Sequence, residues 1–178
     1  MLKYGFFLLL FTLVGCTTPI SYYKQTSLEL KLEEFYNGKL TGYGIVQSRN
    51  GKVLRRFTVD MLGTWKGDKG VLDEHFVYDD GEKQQRTWYL QKKTEGIYSG
   101  SASDVVKAAD GQTQGFALNW KYTLAINIDD TEWHIDFDDW MYLIDEHRLI
   151  NRAQMNKWGV NVGEVTLYIE KHQEKSRL

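Results

Sequence analysis

Four polar residues stand where the alternation of the chain calls for apolar ones. Glu74 shares its strand parity with Leu72, Phe76 and Tyr78, and Arg86 shares its own with Trp88 and Leu90. Asp139 lies with Phe137 and Met141, and Asn151 with Leu149 and Ala153. Successive side chains of a strand point to opposite faces, so a polar residue on the apolar parity looks inward. A buried carboxylate must find a partner or take up a proton. Arg86 is the one inward cation beside two carboxylates, which makes pairing with Glu74 or Asp139 the economical arrangement. Asp139 and Asn151 then form a structural hydrogen-bond network. Two further chemistries are open to the same residues. Arg86 can act as an anion clamp for a carboxylate or phosphate head, with Trp88, Trp120, Tyr122 and Phe137 lining an apolar tail site. Alternatively, Glu74 or Asp139 with a raised pKa can serve as a general acid or base acting on a lipid. Arg152 is a further ligand candidate, although its parity faces outward unless a bulge shifts the register.

Other catalytic constellations are missing. The chain has no Gly-x-Ser-x-Gly elbow, no His-Glu-x-x-His, no phosphate-binding glycine loop and no spaced Cys/His set, so neither a metal nor a cofactor is expected. The four histidines, His75, His134, His147 and His172, are dispersed and read as surface or structural residues rather than ligands. Asp60, Asp73, Asp136 and Asp138 fall on the outward parity. Asp136 and Asp138 sit side by side as a glycosidase pair might, and a solvated strand surface is the plainer reading.

The elements that must position these residues are strands. From Lys39 onward, alternating runs are separated by Asn50-Gly51, Gly67-Asp68-Lys69-Gly70, Asp79-Asp80-Gly81, Glu95-Gly96, Asp129-Asp130 and Asp145-Glu146-His147. Ser103 to Thr113 reads as the longest irregular piece, with a turn at Asp110-Gly111. The single proline lies ahead of all strands, so none is interrupted. Leu28, Leu32 and Phe35 recur at helical spacing, which predicts one short amphipathic helix, capped by Ser27, closed by Asn37-Gly38 and packed across the mouth of something larger. Eight or nine strands joined by short turns predict an all-β, antiparallel up-and-down barrel. A barrel avoids exposed edges better than the alternative, a two-sheet sandwich.

The start of the chain predicts an address. Lys3, the apolar run Phe6 to Val14 and Leu13-Val14-Gly15-Cys16 have the layout of a secretory leader, too short to span a bilayer. Leu-Val-Gly-Cys resembles the lipobox of bacterial lipoproteins. That resemblance implies lipidation of Cys16, and Thr17 after it implies transport to the outer membrane, on the periplasmic side. The expected organisation is a leader at 1–15, anchor and tether at 16–26, one barrel domain at 27–171 and a polar tail at 172–178. Cys16 is the only cysteine, so the barrel has no disulfide and no spare thiolate. Without Lys3, 21 basic residues (22 minus 1) face 24 acidic ones, a balance that gives no reason to expect nucleic acid.

Several stretches carry a family likeness over nearly the whole length after the leader. They include Phe-Tyr-Asn-Gly at 35–38, Arg-Arg-Phe-Thr-Val-Asp at 55–60, Phe-Val-Tyr-Asp-Asp-Gly-Glu at 76–82, Leu-Asn-Trp-Lys-Tyr at 118–122, Phe-Asp-Asp-Trp-Met-Tyr at 137–142, Ile-Asn-Arg-Ala at 150–153 and Gly-Glu-Val-Thr-Leu at 163–167. Together they resemble the bacterial lipoprotein family DUF3833, a likeness that implies a lipoprotein with a lipocalin-like barrel and brings no catalytic residues. Gly63-Thr64-Trp65 has the Gly-x-Trp form of a lipocalin first strand, but here it follows other strands. Three functions follow as expectations. The favoured one is a lipid-anchored barrel binding a small amphipathic or fatty-acid-like molecule. The others are a lipid-modifying enzyme with a buried carboxylate, and an accessory envelope protein whose barrel is filled solid.

Overall fold

The computed structural model describes residues 18–128 and 131–173. The leader, Cys16, the Asp129-Asp130 turn and the end of the tail lie outside the described residues. Ten strands follow in chain order: β1 (Gly38–Ser48), β2 (Val53–Lys66), β3 (Lys69–Tyr78), β4 (Lys83–Thr94), β5 (Ile97–Ser101), β6 (Ala109–Gln114), β7 (Ala117–Ile128), β8 (Thr131–Asp145), β9 (Arg148–Lys157) and β10 (Val160–Lys171). Each pairs antiparallel with the next and β10 returns to β1, so the sheet closes on itself. The fold is an up-and-down barrel, not a sandwich, with ten strands in place of eight or nine.

The added strand is β6. Asp110-Gly111 carries a turn signal in the sequence, yet Gly111 pairs with Tyr98 on one side and Trp120 on the other. Its smallness answers a packing need: a Cβ there would lie 2.0 Å from the Trp120 ring. A glycine inside a strand often marks such a close approach.

Alternation sorts the side chains as expected. In β2, Phe57, Val59 and Met61 are buried while Arg56, Thr58 and Asp60 are exposed. In β8, Ile135, Phe137 and Leu143 are buried against exposed His134 and Asp136. Such period-two burial places the apolar side chains inside the barrel, where they form two neighbouring clusters.

The expected Ser27-capped helix shrinks to one turn, α1 (Leu32–Phe35), with Lys31 at the N-cap and no side-chain cap bond. Leu30 and Leu32 are both buried, a two-residue spacing that belongs to extended chain rather than helix. The Leu30 amide donates to the Gly115 carbonyl at 2.8 Å. This segment closes one end of the barrel as a floor, with Phe35 and Tyr36 also buried. A Cβ at Gly63 would sit 1.9 Å from the Tyr36 carbonyl oxygen, and the Trp65 indole donates to that same oxygen at 3.1 Å. Ahead of the floor, a 3₁₀ turn (Ile20–Tyr23) lies on the outer wall. There the Tyr23 ring packs on Phe116 and Tyr142, with centroids 5.1 and 5.9 Å away.

The wall is incomplete as a ladder at one place. β5 meets β4 only from Tyr89 onward, and β6 meets β7 only up to Lys121. The segment from Ala102 to Ala108 fills the space between the remaining halves of β4 and β7. The Val106 amide donates to the Thr123 carbonyl at 2.9 Å and the Ala125 amide to the Asp104 carbonyl at 2.8 Å, with a bridge between Val105 and Leu124.

Candidate binding cavity

Inside the barrel is a cavity of about 870 Å³, within the range of small-molecule sites. Its aromatic side comes from β4, β7 and β8. Tyr122 and Phe137 stack at 4.9 Å and 5°, and Trp88 meets both Trp120 and Tyr122 edge to face at 5.9 and 5.4 Å. Aliphatic side chains such as Leu72, Leu90, Leu124 and Leu167 complete the lining. All four aromatic residues singled out from the sequence are therefore in one wall.

The inward polar residues form two groups. Glu74 and Arg86 are cross-strand partners, yet their charged atoms stand 3.8 Å apart. The closer partner of Arg86 is Asp104. The Arg86 Nε donates to both carboxylate oxygens at 3.1 and 2.9 Å, and Nη2 donates to one at 2.8 Å. The guanidinium also lies 5.7 Å from the Phe76 ring. The expected pairing with Glu74 is therefore present as the longer of two ion pairs, the alternative pairing with Asp139 is not, and Asp104 is the closer partner. A guanidinium held by this bidentate pair is less free to clamp an anion. Asp104 escapes sequence reasoning because the piece around it has no periodicity to assign it a face. The Arg86–Asp104 pair closes the gap in the wall between β4 and β7, adding a second carboxylate to the salt bridge expected of Arg86.

The second group is Asp139 with Asn151 and Tyr122. The Asn151 amide donates to one carboxylate oxygen and the Tyr122 hydroxyl to the other, the latter at 3.3 Å. Asp139 and Asn151 are the two buried polar residues of the described chain, and they satisfy each other as expected. Tyr36 reaches in from the floor, its hydroxyl 3.2 Å from the Met141 sulfur.

Electrostatics follows from burial. Burial pushes the Glu74 carboxyl up to about 7, against the pull of Arg86 and a hydrogen bond from Trp88. Burial likewise pushes Asp139 up to about 7, against the bonds from Asn151 and Tyr122, and the charge of Glu74 adds to the rise. Burial and the Asp139 charge hold the Tyr122 hydroxyl far above its ordinary range, so it stays a donor. Arg86 keeps its charge: burial opposes it, but the Asp104 bond and the Glu74 charge hold its pKa above the ordinary value.

The remaining candidates lie elsewhere. Arg152 faces outward and pairs with Glu164 at 2.7 Å, which removes it from the cavity. Asp136 and Asp138 accept bonds from Thr123 and Asn119, both at 2.7 Å, on the outer face. His75 is exposed, His134 contacts Glu132 and His172 contacts Thr41. Among the described residues no group of three His, Cys, Asp or Glu is placed to hold a metal. Sequence reasoning also misses Arg55. This residue stands at the open end over the Tyr78 ring, 3.7 Å from its centroid, and pairs with Asp80 and Glu82 at 2.9 and 2.8 Å.

The barrel is similar to the S-type phycobiliprotein lyase CPES from Guillardia theta, with a TM-score of 0.59 at 9% identity, over 82% of this chain and 95% of that one. Such a likeness concerns the fold, a calycin-like barrel. The ywiB protein from Bacillus subtilis aligns at a TM-score of 0.35 and 14% identity, over 76% of this chain and 91% of that one. No curated protein matches the sequence. The family of proteins of unknown function DUF3833 matches over residues 10–171, nearly the whole chain, and the chain belongs to that family.

Proposed function

We propose that the barrel is a container for one small amphipathic molecule. The apolar body lies against Trp88, Trp120, Tyr122 and Phe137, and the polar end meets Glu74 and Asp139. The observation that carries this reading is the 870 Å³ cavity, which joins an aromatic and aliphatic wall to the two inward polar groups. The same cavity argues against the accessory-protein alternative, which called for a solid interior. A fatty-acid carboxylate is the less suitable head, because Asp104 already takes the Arg86 charge. Two carboxyl groups near neutrality favour a neutral head bearing hydroxyl or amide groups, which can both donate and accept. The leader and lipobox support placing this container on the outer membrane, lipid-anchored at Cys16 and facing the periplasm.

One observation favours an enzymatic second reading. Two carboxyl groups poised at about 7 in one pocket suit a general acid or base working near neutral pH.

Organic extraction of the purified chain followed by mass spectrometry tests the container. A discrete mass is expected from the wild type and none from Ala153→Phe, which places a ring in the cavity from a buried wall position. A wild type that yields no mass and binds no fluorescent long-chain alcohol would end the reading. The second reading needs a reaction whose rate depends on a group near pH 7 and is lost in Glu74→Gln.

A further inference from the structure

The open end of the barrel has two unlike arcs. On one, Asp79, Asp80 and Glu82 are held by Arg55 and Arg56. On the other, the β9–β10 hairpin ends in Trp158, 84% exposed, with Val160 and Val162 beside it at 51% and 43%. Val53 and Leu54 continue this lip on β2, also exposed. Lys157 lies over both Trp158 and Trp133, 5.1 and 5.3 Å from the ring centroids.

Trp158 is held against its local preference. Lys157 pairs with Val160, so Trp158 and Gly159 form a two-residue turn, and both have positive φ, 51° and 77°. Turns of this type favour Asn-Gly. A tryptophan is an uncommon occupant of the left-handed region, and Trp158 is the one non-glycine residue with positive φ among those described. Strain of this kind gathers at functional positions. An indole left in water at a strained turn, beside a lysine and two valines, has the chemistry of a membrane-interface anchor.

The leading segment gives the lip its occupant. From Tyr23, packed on Phe116 near the floor, the chain climbs the outer wall. Thr18, Pro19 and Ile20 line a groove with Lys121, Asp138, Trp140, Gln154 and Glu164, about halfway along the outer wall. Cys16 is two residues further on, no more than about 7 Å of chain. The expected anchor at Cys16 is therefore tied by a two-residue tether to the wall between floor and lip.

We infer that the lip is a docking edge for an anionic phospholipid bilayer. Trp158 enters the headgroup layer, Lys157 meets lipid phosphate, and the mouth of the cavity faces the membrane. The inference rests on the container reading only in supplying a reason for the mouth to face lipid. It gives the proposed ligand a path from bilayer to barrel that avoids water.

The test uses the full chain in vesicles of phosphatidylethanolamine and phosphatidylglycerol with brominated acyl chains, which quench nearby indoles. Anchorage at Cys16 holds every variant at the membrane, so quenching reads orientation rather than affinity. Wild-type fluorescence is expected to fall, and Trp158→Asn is expected to lose most of that fall while its thermal midpoint rises by about 2 °C, since Asn suits the turn. Val160→Asp, which leaves the turn intact, is expected to lose quenching as well. Equal quenching in the wild type and both variants, or none in any, overturns the inference. So does concentration-dependent self-association that Trp158→Asn abolishes without any quenching, because it assigns the lip to a second copy. An extractable ligand without quenching sinks the docking edge alone, and quenching without ligand sinks the container alone.

Discussion

The floor and the mouth of this barrel are built from different materials. At the floor, Leu30, Leu32, Phe35, Tyr36 and Leu40 are each at most 5% exposed. Polar contacts there end on main-chain oxygen or in closed networks: Trp65 donates to the Tyr36 carbonyl, and Glu33 accepts from Lys92 and Tyr98 at 2.6 and 2.7 Å. At the mouth, valines and a tryptophan face water, and arginine pairs lie near solvent. Burying a large apolar side chain contributes about 2 kcal/mol, whereas an exposed ion pair contributes less than about 1 kcal/mol. Burial thus contributes more to stability at the floor than at the exposed lip of the mouth.

The sharpest way to break this contrast is Gly63→Val in the floor. Its Cβ would run into the Tyr36 carbonyl, and a loss of about 3 kcal/mol is expected in urea unfolding. A loss below about 1 kcal/mol would show that the floor can move aside and is not the stable end.

pH separates floor from cavity by sign. Burial raises the Glu33 carboxyl, but the bonds from Lys92 and Tyr98 outweigh it and hold its pKa below the ordinary 4.5. Its contribution is therefore present above pH 4.5 and lost as pH falls through the depressed value. Glu74 and Asp139 behave oppositely. Their folded pKa values of about 7 lie above the unfolded 4.5 and 3.8. Their contribution is full below about pH 4 and lost as pH rises towards 7, roughly 3 to 4 kcal/mol per group. Denaturant midpoints measured from pH 4 to pH 8 should decline, and Glu74→Gln should flatten the decline. An unchanged slope in that variant would show that Glu74 does not cause it.

The smallest effect belongs to the mouth. Val160→Thr, at a half-exposed position, is expected to shift stability by less than about 0.5 kcal/mol. A larger loss would mean that the lip is packed against something in solution.

Most of this architecture is legible in the alternation of the chain. Parity alone places Glu74, Arg86, Trp88, Trp120, Tyr122, Phe137, Asp139 and Asn151 on the inside, because each lies in a long strand with one wet face. It fails where a residue lies outside a strand or where one signal has two causes. Asp104, in an irregular segment, has no parity, so parity shows the Glu74 partner of Arg86 and misses the closer one. Gly111 imitates a turn because a glycine making room for an indole looks like a glycine making a bend. Leu28, Leu32 and Phe35 imitate a helix, while the buried pair Leu30 and Leu32 belongs to extended chain. Trp158 gives no signal at all, since a tryptophan in a left-handed turn runs against every local preference.

The Arg86–Asp104 pair has a consequence for how the barrel breathes. Elsewhere, parting two strands means breaking a ladder of main-chain bonds together. Between the upper halves of β4 and β7, continuity rests on one ion pair and a few amides of the Ala102–Ala108 segment. Opening there disrupts fewer main-chain bonds than parting two full strands. Because its latch is ionic and partly exposed, salt weakens it while leaving the ladders untouched. At this seam an ion pair does part of what a main-chain ladder does elsewhere in the wall, so its strength responds to ionic strength where theirs does not.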